Sequence, residues 1–207
     1  MTKKVVVATI AALILCTGCS RLLNGVTKRR QQAKLSLLDA DLGLAACDGD
    51  IKKVQNLLNS GANVNATGVE GSSVLTGAEA CKRHDDPTRV QLVELLIAKG
   101  AEVSHRDSSG ATALMYAARN GDTEAVKALL KNGATVNIAD KEGETALMKA
   151  AASSCNEQTV RALINAGADL NARDHKGRNA LDAFRSSYAC PESKVGDLLK
   201  METQKSK

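Results

Sequence analysis

Six cysteines and three histidines are the groups of this 207-residue chain best suited to metal or nucleophile chemistry. Their spacing supports little of it. A zinc site needs four donors brought together, yet there is no Cys-x-x-Cys pair and no histidine at ligand spacing. His84, His105 and His175 fall in three different loops, where a lone imidazole is more often solvated than catalytic. His84-Asp85-Asp86 groups three possible donors, but a charged loop ahead of Pro87 explains them more simply. No Gly-x-Ser-x-Gly elbow exposes a serine, and no glycine loop could cradle a phosphate. The expectation is no catalytic residue, no metal and no cofactor.

Two cysteines carry a different chemistry. Lys3 and Lys4 precede an apolar run, Val5–Leu15, of eleven residues. That is too short for a membrane-spanning helix, which takes about 20, and suits an export signal. Cys16-Thr17-Gly18-Cys19-Ser20 follows and resembles a bacterial lipobox, with Cys16 where leucine is usual. The resemblance implies removal of residues 1–18 and a lipid on the Cys19 sulfur, against the plainer alternative of an ordinary signal peptide cut nearby. In Gram-negative lipoproteins a residue other than aspartate after that cysteine implies transfer outward, and Ser20 fits. The expected location is the periplasm, lipid-anchored to the inner leaflet of the outer membrane. Several acyl chains would hold firmly where one binds only marginally.

The formal charge of +5 is uneven. Seven basic residues and no acid lie before Leu37, leaving 21 basic against 23 acidic residues from there on. The body of the chain therefore has no basic excess to suggest nucleic-acid binding. Residues 19–36 read as a basic tether, solvated or lying on anionic head groups.

What must position any site is a motif that returns four times. Val-x-x-Leu-(Leu/Ile)-x-x-Gly-Ala recurs at Val54–Ala62, Val93–Ala101, Val126–Ala134 and Val160–Ala168. Its glycines are spaced by 39, 33 and 34 residues, a period that signals a stacked solenoid and favours binding over catalysis. Apolar residues at i, i+3 and i+4 stripe one helix face, and the glycine can take the left-handed turn that ends it. Upstream of two copies stand Gly110-Ala111-Thr112-Ala113-Leu114-Met115 and Gly143-Glu144-Thr145-Ala146-Leu147-Met148, with threonine as N-cap and alanines for close helix approach.

These residues resemble the ankyrin repeat, whose pattern runs Asp-x-x-Gly-x-Thr-Pro-Leu-His-x-Ala-Ala and then Val-x-x-Leu-Leu-x-x-Gly-Ala-Asp-Val-Asn. The departure lies at Thr-Pro-Leu-His, here Thr-Ala-Leu-Met twice, Ser73-Val74-Leu75-Thr76 and Asn179-Ala180-Leu181-Asp182. Losing a proline that only pre-sets the backbone costs little. The resemblance implies an all-α ankyrin-repeat solenoid of five helix-turn-helix units with β-turn fingers. The expected units are 37–66, 67–105, 106–138, 139–172 and 173–200, with a polar tail over 201–207. The first lacks an opening turn and reads as a cap. The second carries an insertion around Lys82–Arg89. In the fifth, Glu202 stands where the glycine should be. Glu79 replaces a buried alanine, marking a distorted second unit or a polar feature of the groove. The turn acids Glu70, Asp107, Asp140, Glu142 and Asp174 match the family's finger turns, not an acid–base pair.

Cys47, Cys81, Cys155 and Cys190 remain, and an even number in an exported chain suggests disulfides. Aligning the repeats places each after the first helix of its unit, in units one, two, four and five. Neighbouring helices sit about 8–10 Å apart, so a bridge across the cysteine-free third unit would exceed the roughly 7 Å Cα limit. The expected pairs are Cys47–Cys81 and Cys155–Cys190.

Ankyrin proteins bind partners through fingertips and the concave face. The tips here are Val69, Glu70, Ser108, Ser109, Lys141, Glu142, His175 and Lys176. Just inside lie Ser72, Ala111, Glu144 and Arg178, and the third unit's first helix ends in Arg119 and Asn120. Lys141, Lys176 and Arg178 are read as turn residues without packing roles. The expected partner is one or more proteins, foremost an envelope-acting enzyme, met by a chain that is monomeric when free. Two roles are in view: an immunity protein or inhibitor of a toxic phospholipase or peptidoglycan hydrolase, and a periplasmic scaffold for an envelope or oxidative-stress protein.

Overall fold

The computed structural model describes residues 36–81, 86–154, 156–187 and 194–205. The expectations for Cys19, for His84 and for the Cys155–Cys190 pair lie outside the described residues.

Ten α-helices are described, two to each unit. They are α1 (36–48), α2 (Ile51–Asn59), α3 (Val74–Ala80), α4 (Asp86–Ala98), α5 (Ala113–Asn120), α6 (Thr123–Lys131), α7 (Ala146–Ser153), α8 (Glu157–Asn165), α9 (Ala180–Arg185) and α10 (Val195–Lys205). The first helices α3, α5, α7 and α9 stack in one row, and α2, α4, α6, α8 and α10 form a second row behind them. Among the described residues there is no strand. Two isolated bridges, Thr67 with Ser73 and Ala139 with Thr145, pinch the bases of two fingers.

Side chains start these helices. Thr112 and Thr145 accept from the backbone N–H groups of Met115 and Met148, each at 3.4 Å, and Ser73 accepts from Thr76 at 3.2 Å. Asn179 and Asp182 close a reciprocal capping box. Asp50, Asp122 and Asn156 cap α2, α6 and α8. Arg89 holds the matching place in unit two, and that helix instead begins earlier, at Asp86. The expected insertion is thus helical from Asp86 onward, with Pro87 in the first turn, where a missing N–H breaks no helix bond.

Glycine ends the second helices as expected, with φ of 96° at Gly61, 91° at Gly100, 85° at Gly133 and 86° at Gly167. The fifth unit has no such stop, so α10 runs on to Lys205, past the boundary placed at 200.

The two rows pack by different means. In the second row one valine per unit, Val54, Val93, Val126, Val160 and Val195, has no exposed surface. On the first helices of units one to four Leu42, Leu75, Leu114 and Leu147 are at most 1 % exposed, and alanine pairs such as Ala117–Ala118 and Ala150–Ala151 are buried with them. Each fully buried valine or leucine contributes roughly 1.5–3 kcal/mol, while the small alanines let rows approach without aromatic filling. Cys47, near the end of α1, is bonded to Cys81 at the end of α3, with 5.4 Å between their Cα atoms. Glu79 does not face the groove; it is wholly buried inside unit two.

Candidate protein-binding site

Each regular finger is organised by one aspartate. Asp107 Oδ1 accepts from the N–H groups of Ser109 and Ala111 at 2.8 and 3.0 Å. Asp140 does the same for Glu142 and Glu144 at 3.1 and 2.8 Å, and Asp174 for Lys176 and Arg178, both at 2.9 Å. The second oxygen is held by a side chain from the concave face or the turn itself. Tyr116 Oη donates to Asp107 at 2.9 Å, Lys149 Nζ to Asp140 at 2.8 Å, and Arg178 Nε to Asp174 at 2.7 Å. Lys149 also donates to Glu144, and Arg178 Nη2 reaches Glu144 Oε1 at 3.3 Å. These carboxylates are turn builders with their lone pairs already engaged.

Electrostatics follow from those bonds. Burial alone would raise the pKa of Asp107, but hydrogen bonds from Ser109, Tyr116 and Ala111 outweigh it and hold the group below its usual range. Burial likewise acts upward on Asp174, and the backbone and guanidinium bonds of Arg178 more than offset it. Desolvation would lower Lys149, yet its bonds to Asp140 and Glu144 leave it raised.

The fingers are tied into one ledge by backbone. Ser108 N–H donates to Glu70 C=O at 2.8 Å, Lys141 to Ser109 at 2.9 Å, and His175 to Glu142 at 3.0 Å. Gly143 makes the last step possible. Its φ is 80°, and a Cβ there would stand 3.0 Å from the His175 nitrogen.

The second finger is built differently. Gly68 stands where the others have their aspartate, and the turn becomes a short 3-10 segment, Val69–Gly71, with Glu70 at φ 58°. Gly77 stands where Tyr116 and Lys149 reach down. With both long side chains missing, an open recess of about 720 Å³ lies between α1 and the second unit, and it includes Val69 and Ser72.

The structure sorts the expected binding residues into groups. Ser109, Ala111, Arg119 and Glu142 line a small recess of about 110 Å³ together with Tyr116 and Lys149. Ala111 is only 7 % exposed and offers little more than an edge. Glu70, Ser108, Lys141, His175 and Lys176 are exposed tips of the ledge. Asn120, expected in the groove, donates to the Glu79 carbonyl at 2.8 Å and so joins unit three to unit two. Arg178 corrects the expectation that it lacks a packing role, because Asp174 and Glu144 both hold it. His105 is not simply solvated: its Nε2 lies 2.8 Å from the Gly71 carbonyl and ties the end of unit two back to its own finger. Tyr116 and Lys149 were not singled out from sequence, though each stands nine residues after its finger aspartate.

No group of three or more His, Cys, Asp or Glu among the described residues could hold a metal ion, and no described helix is long and apolar enough to cross a membrane. The arrangement offers a shaped, charged surface. Fingers, helix pairs and a concave row define a class of repeat modules that bind other proteins. A family model described as ankyrin repeats, in three copies, matches residues 42–140 and again 78–174, and the chain belongs to that family. Among curated proteins no match was found.

Proposed function

We propose that this chain is a non-enzymatic envelope lipoprotein, held by Cys19 at the inner leaflet of the outer membrane, that binds and neutralises a toxic hydrolase. The observation that carries the binding part is the ledge. Four fingers are joined by backbone hydrogen bonds before any partner arrives, so little ordering entropy is lost on association. A rigid face suits occlusion of an active site. The envelope part rests on the Cys16–Ser20 signature and on the cysteines, one pair of which is bonded. A phospholipase or peptidoglycan hydrolase is the class of target that acts in that compartment.

The test begins with the partner captured from detergent-solubilised envelope, assayed for hydrolysis while this protein is titrated to saturation. Activity should fall in step with occupancy. Full activity in the saturated complex would replace the inhibitor reading with a scaffold. Lys141→Glu, Lys176→Glu and Arg119→Glu together should weaken the complex at least ten-fold without lowering the melting temperature, since no described residue forms an ion pair with these three. Arg178 is left intact because reversing it would break the fifth finger. Cys19→Ala should shift the protein from the membrane fraction to the soluble one.

A further inference from the structure

Glu79 occupies the place that Ala46, Ala118 and Ala151 hold in sister units. It has no exposed surface, and neither carboxyl oxygen has a hydrogen-bond partner. The repeat's packing works with a methyl group at this position, so the carboxyl is not needed to fill space.

Two charged groups act on it. Arg89 comes from α4 and Asp122 from the start of α6. Arg89 Nη1 lies 3.2 Å from Asp122 Oδ2, with both side chains buried, and Nη2 donates to the carbonyl of the disulfide-bonded Cys81 at 3.4 Å. Asp122 also caps α6 through the Ala125 N–H at 3.0 Å. Nη1 and Nη2 are thus engaged by an aspartate and a carbonyl, and no nitrogen of the guanidinium makes a hydrogen bond to Glu79.

The other described charged groups on the neighbouring helices are turned outward or occupied. Asp41 and Asp48 of α1, Glu94 of α4, Arg119 of α5 and Lys131 of α6 are exposed. Asp39 accepts from the Asn63 N–H, Tyr116 donates to Asp107, and Glu124 pairs with Lys127.

We propose that Glu79 is a proton-operated latch for the second unit: protonated, it seats α3 against α4 and α5, and on ionising it frees α3. The concave groove moves with it, because the Asn120 side chain is bonded to the Glu79 carbonyl. The Cys47–Cys81 bond keeps the freed helix attached to α1.

Thermodynamic linkage sets the direction. Burial raises the closed-state pKa from 4.5 to about 8, with Arg89 opposing that rise and Asp122 adding to it. Opening exposes the carboxyl to water and returns it toward 4.5. The open form therefore binds fewer protons, and the opening constant should climb by up to about ten-fold per pH unit between those values.

Hydrogen exchange of the disulfide-intact protein, corrected for intrinsic chemistry, tests this from pH 5 to 9 without any partner, so its outcome is independent of the inhibitor reading. In the wild type the opening constant of Val74–Ala80 should rise by roughly 100-fold or more from pH 5 to 8 and then level off. Ala146–Ser153 should not follow. Glu79→Gln should remove the slope, and Glu79→Ala, which restores the sister residue, should remove it and protect α3 further. A wild-type slope no steeper than that of Ala146–Ser153, or a slope that survives in Glu79→Gln, overturns the latch. A carbon-13 titration placing the Glu79 carboxyl midpoint near 4.5 would overturn it too.

Discussion

At single positions, backbone geometry separates residues that sequence treats alike. Gly133 and Gly143 both have positive φ, at 85° and 80°. A Cβ on Gly133 would meet open space, while one on Gly143 would press on the His175 and Asp174 backbone at 3.0 and 3.1 Å. Gly133→Ala should cost about 1 kcal/mol for the left-handed conformation alone. Gly143→Ala should cost clearly more, because two of its three nearest neighbours are main chain and cannot step aside as the His175 ring can; paired urea titrations of the two variants give the comparison. Tyr116→Phe removes the hydroxyl that Asp107 accepts from at 2.9 Å. The expected loss is about 1.5–3 kcal/mol, in the range for a bond to a charged group, and it should shrink as acid protonates Asp107.

At the scale of elements, the ends of the stack and the second finger differ most from the regular middle. Cys47 and Cys81 are separated by 34 residues. Closing a loop of that size contributes roughly 3–4 kcal/mol in the chain-entropy model. In a quasi-one-dimensional stack that loss should fall on units one and two. Reduction, or Cys47→Ser with Cys81→Ser, should therefore expose α1 to α3 to hydrogen exchange well before α7 and α8 respond. The second finger can be repaired. Gly68 has φ −91° and its Cβ would meet only the Ser72 oxygen, at 3.8 Å, so Gly68→Asp fits without strain. The new carboxylate could accept from the finger N–H groups as Asp107 and Asp140 do, and a gain of about 0.5–1.5 kcal/mol should appear as a higher melting temperature. A lower one would show that the 3-10 turn with Glu70 left-handed is the better arrangement for that site.

For the molecule as a whole, buried carboxyls pull stability in opposite directions along the pH axis. Asp107 and Asp174 have folded pKa values below their ordinary 3.8, so their contribution is complete above that value and is lost as acid titrates them. Glu79 has a raised one, so its contribution is complete below 4.5 and disappears as pH climbs to about 8. Stability should peak near pH 4–5, between the two effects, instead of near neutrality. Thermal melts from pH 2 to 9 would show this, and Glu79→Ala should move the maximum upward. A wild-type maximum at pH 7 or above would contradict the buried, unpartnered state of Glu79.

The repeat was legible because its signals are local. Val54, Val93, Val126 and Val160 announce their helices by i, i+3, i+4 spacing, and Gly61, Gly100, Gly133 and Gly167 announce the ends by a conformation most residues avoid. Threonine caps and finger aspartates are read over three or four residues, so the chain alone was enough to determine a five-unit helical stack. What tertiary structure decided is how units share groups. Arg89, expected in the insertion between the helices of unit two, is helical and pairs with Asp122 of the next unit. Arg178 and Lys149 converge on Glu144 from different units, and Tyr116 turns back to a finger nine residues away. Whether Glu79 faced a groove or a core could not be settled from neighbours in sequence. Burial is set by the helices stacked on either side, at separations of 30 residues or more. Local pattern determines each repeat, while the charge and polarity of the surface it presents depend on which side chains are spent holding one repeat to the next.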